Sequence, residues 1–552
     1  MRRFHSYGPV NSKVHFCVER NELVEQCMNQ LLGETEEGGH YFTIWAPRQT
    51  GKTWLMRQVR KRIEKEYKDR FVLGSMSMQG VVLEEEEPEN ALLKWTPHLV
   101  RDTFGLKMDT PQDWKEWIDI FHEKEGLFDR PVILFIDEFD SLPPHVIDRL
   151  VTLFRDMYLK RETYLLHGLA LIGVRAVLGI ASDRGSPFNI QRSLHVPNLT
   201  PEEVEELFWQ YEKESGQVVE PRVVESVYES TRGQPGLVSW FGELVTEKFN
   251  PGKEKPIDVS VWDRVYRRAC TTEWNNTVLN LIKKARGPYR HHVLELFGRS
   301  DLSFTLRADW CNYLYLNGII DFETGMERSG AEIDICRFSC PFVQQCIYDA
   351  LAYDLVGDRT PILALEPLDD LSDVFDGPEL DLPALLQRYK DYLVRLRAKG
   401  LNPWKEQPRR ADLHLTPARH RSRLPACASQ WQAGSGEAGG EAVGHFHLYA
   451  WLQSAVGRRC VVSPEFPTGN GKVDLHLRSG EKQGIIEVKS FVDASEAKRA
   501  RGQAADYARS LGLDGVTLAL FVPVEDEDVI EKLSGEQVID GVRVTVVAIA
   551  WT

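Results

Sequence analysis

The chain has 552 residues, with 67 Lys and Arg against 82 Asp and Glu and a formal net charge of −15. That length exceeds what one hydrophobic core supports and implies about three to five structural units. The acidic balance argues against a protein that coats nucleic acid non-specifically, which would be basic. It leaves room for an enzyme with a local basic surface and acidic metal sites. No run of 18 apolar residues occurs, so neither a membrane span nor a membrane partner is expected. The first residues, MRRFHSYGPV, lack the apolar stretch of a secretory signal. Nine scattered cysteines, an odd number, fit reduced thiols and a cytoplasmic location better than a disulfide framework.

In chain order, residues 1 to about 190 alternate apolar runs with helical patterns. The runs are YFTIW (41–45), FVLGS (71–75), VILFID (132–137) and LALIGV (169–174). Such alternation predicts a mostly parallel sheet covered by helices. YFTIW leads directly into APRQTGKT (46–53) and then a helical pattern in which Leu55, Val59 and Ile63 share a face. Strand, loop and helix are the setting a phosphate-binding loop requires. The N–H groups of Gln49, Thr50, Gly51 and Lys52 would point at phosphates, with Ala46, Pro47 and Arg48 forming the approach. Lys52 would reach the terminal phosphates and Thr53 would ligate Mg²⁺. Ala46 occupies the position where such loops usually have their first glycine, so strain is expected there if its φ is positive. Asp137 and Glu138 close the run PVILFIDEFD, the first placed to hold Mg²⁺ through water and the second to orient or deprotonate an attacking water. Arg175, after LALIGV, is a candidate to sense a γ-phosphate or to act on a neighbouring subunit.

Further on, Thr200, Pro201 and Glu203 predict a capped helix start. Helical patterning runs to about 250, broken at RGQPG (232–236). Residues 270–355 mix helices with short strands. Residues 356–385 are acidic and contain proline; 395–423 is basic, and a Gly-rich stretch follows it, which reads as a linker. The last 110 or so residues form another α/β unit.

That unit holds the stretch GKVDLHLRSGEKQGIIEVKSF (471–491), which predicts a β-hairpin. In the first strand Asp474 shares a face with Lys472, His476 and Arg478. In the second, Ile485, Glu487 and Lys489 share a face. If the polar faces coincide, two carboxylates and an ammonium become neighbours. Adjacent carboxylates repel, so a cation belongs between them. A hard divalent ion would take oxygens from Asp474, Glu487 and the Val488 carbonyl, and Lys489 would position a water or stabilise developing charge. Gln503 and Tyr507 lie four apart on one face of the helix that follows.

APRQTGKT, ILFIDEFD, SPFNI (186–190), NLTPEEV and TRGQPGLV together resemble the prokaryotic AAA-like ATPases related to the STAND class, over roughly residues 15–250. That resemblance implies ATP and Mg²⁺ as ligands, and nucleotide governing a conformational or assembly switch in a homo-oligomer or with a partner protein. Val473-Asp474 and Glu487-Val488-Lys489 resemble the PD-(D/E)XK nucleases, with the proline missing. That resemblance implies Mg²⁺ or Mn²⁺, catalysis by Asp474, Glu487, Lys489 and Gln503, a further metal-binding Glu441 (alternatively Glu437) on the preceding helix, and a nucleic acid, DNA before RNA, as substrate. An ATPase joined to such a nuclease resembles prokaryotic proteins tied to defence or mobile elements.

The expected fold class is α/β multidomain: a P-loop core (1–195), a helical lid (196–268), a winged-helix-like module (269–355), a linker (356–435) and a nuclease-like α/β domain (436–552). The rival expectation is a nucleotide-dependent switch or scaffold whose last domain binds DNA without cutting it. Several signals are set aside. Cys336, Cys340 and Cys346 lack the spacing of a zinc site. His445 and His447 point apart on a helix. The run at 84–89 reads as a solvated acidic loop, and the basic segment around Trp404 as either a charged linker or a track for a nucleic-acid backbone.

Overall fold

The computed structural model describes residues 1–33, 38–67, 69–81, 88–173, 192–298, 302–326, 332–356, 364–365, 369–399, 437–457, 459–468, 471–490, 494–522 and 526–550. The chain forms two compact units, Met1–Asp258 with Leu306–Ile320, and Val259–Thr305 with Asp321–Thr552. None of the described helices is long and apolar enough to cross a membrane.

The first unit is built on strands β1 (Tyr41–Trp45), β2 (Val72–Ser77), β3 (Val132–Asp137), β4 (Leu166–Gly173) and β5 (Arg192–His195). They run parallel in the order β2-β3-β4-β1-β5. Both faces are buried, which is why β3 reads as a continuous apolar run. Ile133 and Phe135 pack under α1 (Asn21–Leu32) and α2 (Lys52–Tyr67). Leu134 and Ile136 pack under α3 (Pro88–Phe104), α4 (Trp114–Asp119) and α5 (Pro144–Leu159). The lid consists of α6 (Pro201–Ser215), α7 (Pro221–Thr231) and α8 (Pro235–Glu243). Thr200 and Glu203 close the expected capping box on α6, each side chain accepting from the other's backbone N–H, at 3.2 and 2.9 Å.

The second unit starts with α9 (Val259–Thr271), α10 (Asn276–Ala285) and α11 (Arg290–Gly298). After α12 (Asp309–Leu316) come β6 (Ile320–Met326) and β7 (Glu332–Phe338), a two-stranded sheet, then α13 (Pro341–Val356), α14 (Ser372–Phe375), α15 (Leu382–Ala398) and α16 (Glu437–Val456). The main sheet follows: β8 (Val461–Thr468), β9 (Gly471–Ser479), β10 (Lys482–Ser490), α17 (Ala494–Ser510), β11 (Gly515–Val522), α18 (Glu527–Leu533), β12 (Gly535–Ile539) and β13 (Val542–Ala550). Its order is β12-β13-β11-β10-β9-β8. β10, β11 and β13 are parallel to one another, and the pairs β8/β9, β9/β10 and β12/β13 are antiparallel. Ala504, Ala505 and Ala508 let α17 lie close against Ile485, Val516 and Val544.

Two expected boundaries are corrected. The stretch 269–355 is not one compact module, because residues 306–320 cluster with the first unit. There Tyr315 packs edge-on against Trp45 at the end of β1, and Gly318 fits over Pro47, where a Cβ would lie 2.8 Å from the ring. Nor is 356–435 simply a linker, since α15 is part of the C-terminal fold. Leu382 sits over Gly484, where a Cβ would come within 2.8 Å of it. Tyr389 is fully buried against Trp451 and Phe521, its hydroxyl bonded to His447 Nδ1 at 2.8 Å. Arg397 donates to the Ala550 carbonyl at 2.7 Å. Local composition conceals this because the apolar face of α15 is spaced helically among charges. Tyr389→Ala therefore costs the second unit about 3–5 kcal/mol, seen as a lower urea midpoint for that unit with nucleotide binding by the first unit unchanged. A helix in a solvated linker would change stability by less than about 0.5 kcal/mol.

Candidate functional site

The phosphate loop lies where β1 ends and α2 begins. Ala46 does not have a positive φ; the left-handed residues are Gln49 (φ 59°) and Gly51 (φ 88°). The strain expected at Ala46 thus falls three residues later, on a side chain rather than a glycine. Thr50 Oγ1 donates to the Pro47 carbonyl at 2.9 Å and closes the turn. The Lys52 ammonium donates to the Ala46 and Pro47 carbonyls at 2.7 and 2.6 Å. Thr53 Oγ1 donates to Asp137 Oδ2 at 2.8 Å, so hydroxyl and carboxylate meet across two strand ends. Asp137 Oδ1 accepts from the Glu138 N–H at 2.9 Å. Glu138 is itself left-handed at φ 53°, which turns its side chain out of the strand at the mouth of the site.

Electrostatics follow from crowding. Burial lowers the Lys52 pKa to about 8, opposed by Asp140, Asp137 and Glu138. Burial and the neighbouring Asp137 raise the Glu138 pKa, which suits a general base. An adjacent hydroxyl and carboxylate, a lysine beside them and an N–H-rich turn fit a nucleotide with Mg²⁺, which Thr53 and Asp137 would hold. Arg175 and SPFNI lie outside the described residues. Asp140, which the motifs do not single out, is the leading charge acting on Lys52. It presses so close to the end of β4 that a Cβ on Gly173 would lie 2.7 Å from its Oδ1. Its position three residues after Asp137 is the available signal.

In the second unit the β9/β10 hairpin pairs Leu475 with Ile486, which brings the neighbouring Asp474 and Glu487 together. The Asp474 N–H donates to Glu487 Oε1 at 3.4 Å, and the Val488 N–H donates to Asp474 Oδ2 at 2.7 Å. The Lys489 ammonium lies 3.4 Å from Asp474 Oδ2, 3.8 Å from Glu487 Oε2 and 3.0 Å from the Val488 carbonyl. Three oxygens thus converge on one cation, here the ammonium, and this donor set suits a hard divalent ion. Glu487 is 2% exposed. Burial works to raise the Asp474 pKa, yet Lys489, His445 and the Val488 N–H together hold it below the ordinary value. On α17, Gln503 Nε2 donates to Tyr507 Oη at 2.6 Å. The Tyr507 pKa is raised by burial and by the charges of Glu487 and Asp474, which places the Gln-Tyr pair within electrostatic reach of the acids.

Glu441 and Glu437 lie on α16, in the part whose side chains fall outside the described residues. Among the described residues no three His, Cys, Asp or Glu side chains cluster as a metal site. His445 and His447 turn to different partners, and His445 serves the site: its Nε2 donates to the Asp474 carbonyl at 3.1 Å and its Nδ1 meets the Tyr348 hydroxyl at 2.8 Å. His447 points away to Tyr389. Cys336, Cys340 and Cys346 are buried thiols. The acidic run at 84–87 and the basic segment from 400 onward lie outside the described residues.

The AAA-like domain family matches residues 5–250, and the chain carries a P-loop ATPase domain there. Solved structures similar to it include the Walker-type ATPase of Pyrococcus abyssi, at 15% identity over 62% of this chain and 99% of that one, with a TM-score of 0.43. The ORC1 protein of Aeropyrum pernix in complex with DNA is 14% identical over 61% and 92%, with a TM-score of 0.31. The RuvB Holliday junction branch migration motor of Thermotoga maritima is 15% identical over 57% and 92%, also at 0.31. No curated protein matches the chain.

A lysine pKa near 8 has a measurable consequence. Phosphate binding favours the ammonium, so above about pH 8 nucleotide binding must take up a proton. The ATP Kd measured by fluorescence titration should stay level below pH 7.5 or so and rise by up to about tenfold per pH unit above about 8. Lys52→Met should bind weakly and without that upturn.

Proposed function

We propose that the chain is a nucleotide-governed, metal-dependent nuclease acting on DNA. The observation that carries this reading is the meeting of Asp474, Glu487 and Lys489 on one hairpin beneath the Gln503–Tyr507 pair of α17. Asp474, Glu487 and the Val488 carbonyl would hold Mg²⁺ or Mn²⁺. When bound, such an ion polarises a phosphodiester and lowers the pKa of a coordinated water. Lys489, released from the acids to face the scissile phosphate, would place the attacking water and offset the charge that builds on the phosphate oxygens. Gln503 and Tyr507 would orient the substrate backbone by hydrogen bonding. Buried Glu487 would be kept ionised by the cation rather than by water.

In the first unit, Lys52 and the N–H groups of the loop would bind the phosphates of ATP. Thr53 and Asp137 would hold Mg²⁺, and Glu138 would accept the proton of the attacking water. ATP binding or hydrolysis would then set the state in which cutting occurs.

With Mn²⁺ and ATP, purified protein is expected to cut single- or double-stranded DNA. Asp474→Ala should lower the rate at least about 100-fold and abolish Mn²⁺ binding by calorimetry, whereas Lys489→Ala should lose cutting but retain Mn²⁺. DNA left intact under these conditions, with no Asp474-dependent ion binding, would sink the nuclease reading in favour of a DNA-binding scaffold.

A further inference from the structure

The lid turn touches the phosphate loop from behind. Gln234 Nε2 donates to the carbonyls of Arg48 and Gln49, at 3.1 and 3.3 Å. The Gly236 N–H donates to the same Gln49 carbonyl at 3.0 Å. Within a planar trans peptide, the carbonyl of one residue and the N–H of the next point in opposite directions. Fixing the Arg48 carbonyl therefore aims the Gln49 N–H to the far side, and fixing the Gln49 carbonyl does the same for the Thr50 N–H. These are donors of the phosphate cradle. We infer that Gln234 is a positioning residue for the phosphate loop: its side-chain amide, backed by the Gly236 N–H, sets the direction of the loop's donors and so ties nucleotide affinity to the position of α8.

Three features support a built brace. Gln234 has two tasks, because its Oε1 also caps α8 by accepting from the Leu237 N–H at 2.6 Å. Both ends of its amide are thus committed and its rotamer is fixed. Gln49, the residue braced, is left-handed without being glycine, a conformation that persists only where surroundings enforce it. Its side chain, although exposed, is held as well. Nε2 approaches the Ser6 carbonyl at 3.4 Å, and Oε1 lies where a Cβ on Gly236 would come within 2.5 Å. Ser6 belongs to an N-terminal strap bound to the same helix, since Phe4 lies over Gly242 and Ser6 Oγ donates to Glu243 at 2.7 Å. A displacement of α8 would pull both the brace and the strap from Gln49. By reciprocity, phosphates that require the present loop geometry would hold α8 in place.

The test separates positioning from folding. Serine keeps the cap on α8 but cannot reach Arg48 or Gln49. Gln234→Ser should therefore melt within about 2 °C of the wild type, yet bind a fluorescent ATP analogue about tenfold more weakly. Lys52→Ala, titrated in parallel, identifies the binding that belongs to this site. Gly236→Ala should also weaken binding, and adding Gln49→Gly should bring it back within about threefold of wild type, because glycine accepts the left-handed φ and removes the clash. Wild-type affinity in Gln234→Ser would overturn the inference. Should that variant melt early, the glycine pair decides: wild-type affinity in Gly236→Ala, or no recovery in the double variant, overturns it equally.

Discussion

The chemistry proposed for the C-terminal unit depends on the register of one strand pair. With Leu475 opposite Ile486, Asp474 and Glu487 fall side by side. A slip of one residue would turn Asp474 to the other face of the sheet and bring Leu475 to the site. The register is held from both sides. Leu475, Leu477, Ile486 and Val488 are buried on one face, and Ile485 is buried against α17 on the other. Each of these side chains is worth about 1.5–3 kcal/mol in burial, so a slipped pairing that exposes even two of them cannot compete. A cross-strand bond from His476 to Gln483, at 3.3 Å, adds a polar check near the turn. The cost of a carboxylate at Glu487 is met locally by Lys489, whose ammonium is shared between both acids and a carbonyl.

Strand geometry serves the first unit in a different way. Its sheet is parallel, so all strand ends with free carbonyls point to one edge, and loops from β1 and β3 meet there although β4 lies between them. Thr53 and Asp137 touch because β1 and β3 end at the same level. Nothing in either local sequence states this, but the parallel arrangement makes it a consequence of strand length. The hairpin site is a two-strand device that needs correct pairing. The phosphate site is a sheet-edge device that needs correct stacking of several crossovers.

This difference explains what is legible in the sequence. The apolar runs of β1, β3 and β4 can be read directly because strands buried on both faces leave no polar interruption. The phosphate loop and the hairpin acids are local motifs whose geometry is fixed by neighbours in sequence, so both can be placed by residue number. β5 cannot, since a four-residue strand beside β1 carries almost no periodic signal. The contributions of Asp140, Gln234 and His445 come from contacts across the fold, and single residues of these types usually belong to solvated surfaces or satisfied cores. The left-handed turn at Gln49 rather than Ala46 is also a tertiary effect, because the lid supplies the hydrogen bonds that make it tolerable. α15 reads as part of a linker because acidic and basic flanks dominate the composition there, while its buried face emerges only at helical spacing.

The backing of β9 extends the second site beyond the segment that carries its acids. His445 donates to the Asp474 carbonyl through Nε2, and its Nδ1 is hydrogen-bonded to the Tyr348 hydroxyl. Tyr348 is fully buried on α13, stacked on Phe446 at 4.7 Å and set edge-on to Phe297 of α11. One turn along, Tyr449 of α16 donates to Asp349 of α13 and receives a bond from Gln345, and burial lifts the Asp349 carboxyl to about 6. The polar groups of this buried seam satisfy one another except for Gln345 Oε1, which has no hydrogen-bond partner among the described residues. A fragment beginning at residue 436 would remove Tyr348, Asp349 and Gln345 together, leaving His445 with its bond to Asp474 and Tyr449 with its bond from Gln453. It would also strip α15 from Trp451 and Phe521. The strand that presents Asp474 thus leans on α16, and α16 leans on α13 and α15, so the structural boundary of the candidate nuclease site lies well upstream of its sequence motif.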